Sequence, residues 1–330
     1  MREFGYERVL DVSGAVALLG ADPDARFLGG GTNLVDLMKA GVERPALLVD
    51  ITGLPLDGVE FSHDSGLRIG ATVTNSDLAA HPDVRRHYPA LSQAVLAGAS
   101  GQLRNMATVG GNLLQRTRCG YFTDLSKPCN KRAPGSGCPA LTGEHHNHAI
   151  LGASEHCAAT HPSDMAVALA AFDAVISYET AEGPGELPFP DFYLPVGDTP
   201  HIETALPPGA LITGVTLPPA PVAAHARYRK VRERASYAFA IGSIAAALDV
   251  RDDVVREVRL AFGAVASRPW RARAAERVLT GGPANAEAFA AAADAELAAA
   301  EALPENGYKV TLMRNLVVAV LTELTEEASR

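Results

Sequence analysis

Apolar and polar positions alternate in short blocks over the first 115 residues, and the period of the blocks changes repeatedly. VSGAVALLGA has helical spacing, with Ser13 as its expected cap. ARFLGGGTNLVDLMKAG predicts a strand, a glycine turn and a helix beginning near Asn33, and PALLVDITGL predicts another strand. Two further strands should lead into a helix that starts at Asn75 or Ser76. A helix, a loop and a second glycine turn then follow, ending in TVGGNLLQ.

The second half of the chain changes character twice. Residues 116–160 have no sustained period of 2 or 3.6, and a long irregular stretch within a compact domain is usually functional or disordered. HPSDMAVALAAFDAVISYE then predicts a helix and a strand, and the proline-rich GPGELPFPDFYLPVGDTP predicts a loop. Beyond residue 225 the pattern indicates strands, then a helix, and finally two further helices. A domain boundary is therefore expected near 220–225.

Composition narrows the class of protein. The 330 residues are 47% hydrophobic and 20% charged, as in ordinary globular proteins, and the formal charge of −9 argues against a nucleic-acid partner. No apolar run approaches the length of a membrane span, and the N-terminus lacks the pattern of a secretory signal. A cytoplasmic, reducing compartment is the default expectation. Export of the folded chain to the periplasm on a partner's signal stays open.

The first glycine turn has the composition of an anion site. Glycines allow the backbone to approach a ligand closely, and free N–H groups before a helix suit a phosphate. The second turn repeats the motif about 80 residues later, so the pair would face one diphosphate from two sides. Tight strand-to-helix turns with an asparagine cap are the structural alternative. The residues concerned are Gly29, Gly30, Gly31, Thr32 and Asn33 in the first turn and Thr108, Gly110, Gly111 and Asn112 in the second.

Ser163 and Asp164 precede an apolar helical run. Helix capping is the commonest use of this pair. The functional alternative is that Asp164 accepts hydrogen bonds from ligand hydroxyl groups.

All four cysteines fall within the irregular stretch, with the spacing C-x9-C-x8-C-x18-C. Disulfides are disfavoured in a reducing compartment, and the C-x2–4-C pairs of zinc ribbons are missing. Nearby histidines keep a mixed zinc site open, and buried inert thiols are the simplest alternative. Four thiolates suit zinc or an iron–sulfur cluster, and a cluster takes widely spaced ligands from irregular loops. Four cations flank the thiols and would either offset an anionic cluster or be solvated: Arg116, Arg118, Lys131 and Arg132.

FLGGGTNLVDLMK, TVGGNLLQ, HPSDMAVAL and RYRKVRERASYAFA occur in an order that resembles the FAD-binding subunit of the xanthine dehydrogenase family of molybdenum hydroxylases. The resemblance covers nearly the whole chain. The cysteine stretch is most similar to the FAD- and [4Fe-4S]-carrying subunit of bacterial periplasmic aldehyde oxidoreductases. A different cluster-bearing insert occurs in hydroxybenzoyl-CoA reductases, so the cysteines alone do not fix the substrate.

The resemblance implies an α+β fold of the vanillyl-alcohol-oxidase (PCMH) type with a C-terminal α+β domain that contains a small antiparallel sheet. It divides the chain into FAD-binding subdomain 1 (1–55), FAD-binding subdomain 2 (56–222) with an iron–sulfur insert at about 116–160, and a C-terminal domain (223–330). FAD would lie between the two subdomains.

The resemblance also assigns site residues. The [4Fe-4S] cluster would be held by Cys119, Cys129, Cys138 and Cys157. FAD would be bound by Leu28, Gly29, Gly30, Gly31, Thr32, Asn33, Leu34, Thr108, Gly110, Gly111, Asn112, Ser163, Asp164, Ile212 and Lys230. Ile212 would pack against the flavin ring, and Lys230 would stabilise the negative charge of reduced flavin. Each has a simpler alternative, as a core aliphatic and a strand-surface cation.

The implied function is electron transfer within a heterotrimer. A large molybdenum-cofactor subunit would oxidise an aldehyde, a small [2Fe-2S] subunit would pass the electrons on, and this chain would deliver them to an external acceptor. No residue here would act on the substrate itself. Alternatives are the FAD subunit of a xanthine dehydrogenase or of a hydroxybenzoyl-CoA reductase-like complex, a self-contained flavoenzyme of the same fold, and a zinc-binding interaction protein.

Overall fold

Twelve strands form three separate sheets in the computed structural model, which describes residues 1–328. Residues 329 and 330 of the predicted C-terminal domain lie outside the described residues. The strands are β1 Gly5–Arg8, β2 Ala25–Leu28, β3 Leu47–Asp50, β4 Val59–Ser62, β5 Gly66–Gly70, β6 Val175–Thr180, β7 Gly183–Pro188, β8 Leu211–Leu217, β9 Ala226–Val231, β10 Gly242–Arg251, β11 Val254–Gly263 and β12 Trp270–Arg271.

Helices cover these sheets and also connect them. They are α1 Val12–Ala21, α2 Leu34–Ala40, α3 Asn75–Ala80, α4 Pro82–His87, α5 Pro89–Ala97, α6 Gly101–Arg104, α7 Val109–Leu113, α8 Gly120–Thr123, α9 Asp164–Ala171, α10 Phe189–Phe192, α11 Arg273–Leu279, α12 Ala286–Leu297 and α13 Tyr308–Ala328. Two short 3₁₀ turns cover Pro139–Leu141 and Pro221–Ala224. No helix within residues 1–328 is both long and apolar enough to cross a membrane.

The first sheet is parallel, in the order β1-β3-β2, and α1 packs on it through Val16. The predicted cap of α1, Ser13, is wrong. The carboxylate of Asp11 instead accepts from the N–H of Gly14 at 2.7 Å, and Ser13 lies inside the helix and donates to Asp11. The actual cap, Asp11, lies two residues before the predicted one and supplies a charged acceptor for a free N–H group.

The second sheet has the order β4-β5-β8-β6-β7, with antiparallel neighbours, and packs against α5 and α9. The prediction of a loop for the proline-rich segment is wrong over its first part. Gly183–Pro188 pairs with β6 along its full length, and Phe189–Phe192 forms a helical turn. Proline is compatible with this placement because β7 is an edge strand, so a missing N–H can face away from the ladder.

The third sheet has the order β12-β11-β10-β9 and is buried on both faces along β10. Ile244 and Ala246 face α11, α12 and α13, whereas Ala245 and Ala247 face the core beneath α5 and α9. Alternation of side chains across a strand explains how one strand serves two cores. The predicted α+β class with a small C-terminal antiparallel sheet is confirmed.

Residues 116–160 are irregular, as predicted, apart from α8 and the turn Pro139–Leu141. Their far end is fixed to the third sheet, because the N–H groups of Ile150 and Leu151 both donate to the carbonyl of Val265. One sheet lies within each of the three predicted ranges 1–55, 56–222 and 223–330, and the boundaries themselves stay a prediction.

Candidate functional site

The first glycine turn connects β2 to α2, between the half-buried Leu28 and Leu34. Among the described contacts, no acceptor is found for the N–H groups from Gly30 through Asn33. Gly31 has φ +72°, which side-chain-bearing residues rarely adopt. The turn therefore offers a run of unpaired donors of the kind that a phosphate requires.

Asn33 adds a side-chain donor to this turn. Its Oδ1 accepts from the backbone N–H of Arg116 at 3.0 Å, whereas its Nδ2 is buried without a partner. A buried orphan donor costs roughly 1–3 kcal/mol, so an unpaired amide here fits a ligand oxygen. Asn33 precedes α2 but makes no capping bond through its side chain, contrary to the structural alternative of an asparagine cap.

The second glycine segment is the short helix α7, so the prediction of a glycine turn is wrong. Thr108 caps it by accepting from the N–H of Gly111 at 3.2 Å, and Gly110 lies within the helix. A Cβ on Gly110 would stand 3.2 Å from the Cβ of Ala71, which follows β5, so glycine permits a close approach there. The sequence could not separate a turn from a helix because a capped helix start and a glycine turn share the same residue types.

The two glycine segments lie in contact, and whether they face one diphosphate stays a prediction. A Cβ on Gly29 would stand 2.8 Å from the hydroxyl of Thr108, and one on Gly30 would overlap the backbone carbonyl of Met106. The absence of side chains on these glycines is therefore what permits the approach. The two segments lie about 80 residues apart in sequence, and their contact joins the end of β2 in the first sheet to the start of α7.

Ser163 connects the second glycine segment to α9. Its hydroxyl donates to Oδ1 of Asn112 at 2.6 Å and accepts from the N–H of Ala166 at 3.0 Å. The predicted cap is thus present, and the same side chain also holds Asn112. The Ser163 hydroxyl therefore both caps α9 and fixes the side chain of Asn112.

Asp164 is buried and forms an ion pair with Lys230 at 2.7 Å, and it also accepts a hydrogen bond from the hydroxyl of Tyr228. Burial raises the pKa of Asp164, and the charge of Lys230 opposes that shift. Lys230 is 4% exposed, which excludes the alternative of a strand-surface cation. Ile212 lies in the main core, in β8.

The four cysteines line one cavity, together with Tyr121, Phe122 and Pro139. They come from four different local structures: the residue before α8, the loop after it, the residue before a 3₁₀ turn, and the turn closed by the bridge between Ser154 and Cys157. The structure therefore gathers the four predicted ligands, Cys119, Cys129, Cys138 and Cys157, although they span 39 positions of the sequence.

Backbone N–H groups lie near the sulfur atoms in this cavity. That of Ala159 donates to the Cys157 sulfur at 3.4 Å. Backbone N–H groups beside Cys119 and Cys138 act to lower the pKa of those two thiols. Such donors stabilise thiolate charge and are typical of iron–sulfur sites.

The thiols differ in acidity. A hydrogen bond from the Cys157 thiol lowers the pKa of Cys138 to about 6, and the same bond, with burial, raises the pKa of Cys157. Burial raises the pKa of Cys119. The pair thus favours the thiolate form at Cys138, and the thiolate is the form of cysteine that binds metals.

The cavity is not arranged for a single metal ion. Across residues 1–328, no three side chains of His, Cys, Asp or Glu converge on one point closely enough to hold one. The four cysteines instead line one narrow cavity, and four thiolates suit either zinc or an iron–sulfur cluster.

The cations near the cysteines have carboxylate or carbonyl partners, contrary to the expectation that they are solvated. Glu203 forms ion pairs with Lys131 at 2.6 Å and with Arg116 at 2.5 Å. Burial acts to raise the pKa of Glu203, but the two positive charges outweigh this effect and hold the pKa below its usual value. Arg118 pairs with Asp36 at 3.2 Å. Arg132 donates to backbone carbonyls of residues 121, 122 and 127.

Sequence reasoning missed Glu203, and it did not distinguish His148 from its neighbours. Glu203 also borders a second cavity of about 230 Å³, which shares Thr117 and Lys131 with the cysteine cavity and reaches Leu113 of α7. His148 Nε2 lies 3.3 Å from Cys119 Sγ. Neither has a local signal, because each partner is far away in the sequence.

Comparisons with known proteins match nearly the whole chain. Residues 2–220 match the family model described as the FAD binding domain in molybdopterin dehydrogenase, and residues 214–324 match the CO dehydrogenase flavoprotein C-terminal domain. The chain is 51% identical over 329 residues to the aldehyde oxidoreductase FAD-binding subunit PaoB of Escherichia coli K12, covering 99% of this chain and 100% of that protein.

Two solved structures share the fold. A chain of quinoline 2-oxidoreductase from Pseudomonas putida 86 superimposes with a TM-score of 0.78 at 22% identity, with 100% of this chain and 99% of that chain covered. A chain of carbon monoxide dehydrogenase from Hydrogenophaga pseudoflava gives a TM-score of 0.75 at 26% identity, with 97% and 96% covered.

Proposed function

Because the chain belongs to the family of FAD-binding subunits of molybdopterin dehydrogenases, we propose that it is the flavin and iron–sulfur electron-transfer subunit of a molybdenum-dependent aldehyde oxidoreductase. The family resemblance and the oxidoreductase class predicted from the motifs are confirmed. The observation that carries the finer proposal is the gathering of four cysteine sulfurs around one cavity in a chain of this family.

FAD would be held at the two glycine segments. The unpaired N–H groups from Gly30 through Asn33 and the orphan amide of Asn33 would bind the diphosphate, and the Thr108–Asn112 segment would approach it from the other side. When bound, FAD supplies a carrier that exchanges either one or two electrons. The remaining predicted contacts are Ser163, Asp164, Ile212 and Lys230.

The arrangement at Asp164 refines the role of Lys230. Because the ammonium is already paired with a carboxylate, the pair together presents little net charge to a bound flavin. Its contribution would be to fix the positions of both groups, with Asp164 free to accept further hydrogen bonds on its oxygens. Ile212, which is buried in the core, would contribute at most one face of its side chain.

A [4Fe-4S] cluster would be held by Cys119, Cys129, Cys138 and Cys157. When bound, such a cluster supplies a one-electron carrier. Backbone N–H groups near Cys119, Cys138 and Cys157 act to lower the pKa of these thiols, and they would stabilise the negative charge of the thiolates. The buried surroundings would keep water away from the sulfur atoms. Electrostatic compensation by the flanking cations would be weak, because Lys131 and Arg116 are paired with Glu203.

The partners in this proposal are a large molybdenum-cofactor subunit and a small [2Fe-2S] subunit. Aldehyde oxidation would take place on the large partner, so this chain contributes binding and orientation of carriers and no group that touches the substrate. Support comes from the aldehyde oxidoreductase FAD-binding subunit that is 51% identical over the full chain. An external acceptor would receive the electrons.

The test is a visible absorption spectrum of the purified complex, with flavin, iron and sulfide counted per copy of this chain. We expect one FAD, and about four iron and four sulfide beyond those of the small subunit. Flavin with no additional iron would refute the cluster. Zinc without iron, sulfide or flavin would favour the interaction-protein alternative, and efficient reduction of NAD⁺ would favour a xanthine dehydrogenase-type subunit.

A further inference from the structure

His148 contacts a sulfur of the cysteine cavity from outside the set of four ligands. Its Nε2 lies 3.3 Å from Cys119 Sγ, within the range of a hydrogen bond to sulfur. The other ring nitrogen, Nδ1, is buried and has no partner within the described residues. Among the side-chain hydrogen bonds within the described residues, that of the ring is to a proposed cluster ligand.

The C-terminal region holds His148 in this position. Lys309, at the start of α13, is 0% exposed, and its ammonium donates to the carbonyl of His148 at 3.0 Å and to that of Ala264 at 2.7 Å. Asn306, also 0% exposed, donates to the same His148 carbonyl at 3.2 Å and to that of Ala149 at 3.1 Å. The backbone at His148 is thus fixed by two buried side chains about 160 residues away in sequence.

Chemistry decides which partner donates. A cysteine bound to iron is a thiolate and carries no proton, so the only hydrogen available between Nε2 and Sγ belongs to the imidazole. A hydrogen bond to a cluster sulfur withdraws electron density from it. Withdrawal favours the reduced, more negative form of the cluster and therefore raises its reduction potential.

We propose that His148 is a positioning residue that donates a hydrogen bond from Nε2–H to Cys119 Sγ of the bound cluster, and that Asn306 and Lys309 place it there. The C-terminal domain thereby sets the potential of a cluster whose ligands all lie in the preceding domain. This inference rests on the proposed function, since it requires the cluster.

The experiment is a redox titration of the complex, followed by electron paramagnetic resonance, with iron and sulfide counted in each variant. His148→Leu removes the donor, and His148→Gln retains an N–H donor. His146→Leu is the matched control, because His146 is exposed and stacks on Tyr308 instead of touching a cysteine. We expect the potential of His148→Leu to shift negative with the iron count intact, and those of His148→Gln and His146→Leu to stay at the wild-type value.

An unchanged potential in His148→Leu with full iron content would overturn the inference. Should His148→Leu lose its cluster, His148→Gln decides: a full cluster at the wild-type potential supports the hydrogen bond, and loss of the cluster there as well shows a purely structural role. A wild-type complex without the additional iron and sulfide would instead refute the proposed function, and this inference with it.

Discussion

Replacing Lys309 with methionine tests how the C-terminal helix is fastened to the cysteine segment. The ammonium donates to three backbone carbonyls, those of Ala264 at 2.7 Å, His148 at 3.0 Å and Asn147 at 3.3 Å. Methionine fills a similar volume but donates no hydrogen bond. Within the described contacts the carbonyls of Ala264 and Asn147 then lose their partner, whereas that of His148 keeps Asn306.

The expected loss follows from these orphaned acceptors. Each costs about 1–3 kcal/mol, and removal of a buried charge returns part of the sum. We expect Lys309→Met to lower the free energy of unfolding by about 2 kcal/mol at pH 7. Urea unfolding monitored by circular dichroism measures the difference. The control is Lys39→Met, because Lys39 is an exposed lysine.

The pH dependence gives a sharper test. Burial lowers the pKa of Lys309 from 10.5 to about 7. Between these values the unfolded chain binds a proton that the folded chain does not, so the contribution of Lys309 to stability rises with pH and is lost as pH falls through 7. The gap between wild type and Lys309→Met should widen by about 2 kcal/mol from pH 7 to pH 9. A gap below about 0.5 kcal/mol at both pH values, or one that narrows toward alkaline pH, would refute the reasoning.

Three further substitutions test the two cofactor sites. Cys129→Ser should remove the additional iron and sulfide from the complex while most of the FAD remains, and a parallel loss of FAD would show that the segment is mainly structural. Gly30→Ala should reduce the FAD content at least tenfold, because a methyl group at this position overlaps the facing backbone. The control Gly20→Ala should leave the FAD content unchanged, because no atom lies within 4 Å of the added methyl group. Equal FAD content in the two variants would contradict the predicted site. Lys230→Met should destabilise the fold by about 3–5 kcal/mol in urea unfolding, because the Asp164 carboxylate loses its buried partner, and a loss under 1 kcal/mol would show that the pair is dispensable.

Local spacing predicted elements whose partners lie nearby in sequence. The unit from β2 through the glycine turn to α2 and the helix after Ser163 are confirmed, since apolar period and capping chemistry act within a few residues. β7 was missed because its prolines indicate a loop and only the pairing with β6 shows a strand. The α7 segment failed for the opposite reason. Its glycines indicate a turn, whereas the Thr108 cap and the bond from the N–H of Gly110 to the carbonyl of Ala71 support a helix start.

Long-range polar partners could not be predicted from the sequence. Glu203 meets Lys131 from 72 positions away, and Asn306 meets His148 from 158 positions away. No periodicity or motif encodes such distances. The gathering of the cysteines was predicted because their concentration in one irregular stretch is itself a pattern, whereas the residues that hold that stretch in place are dispersed over the chain.

The double burial of β10 limits how this protein can move. Opening the third sheet away from α5 and α9 would bring Ala245 and Ala247 into water, and opening it on the other side would do the same to Ile244 and Ala246. Protein interiors are close-packed, and all four of these side chains are fully buried. Separation of the third sheet from either layer would therefore expose buried apolar surface, and this costs free energy in both directions.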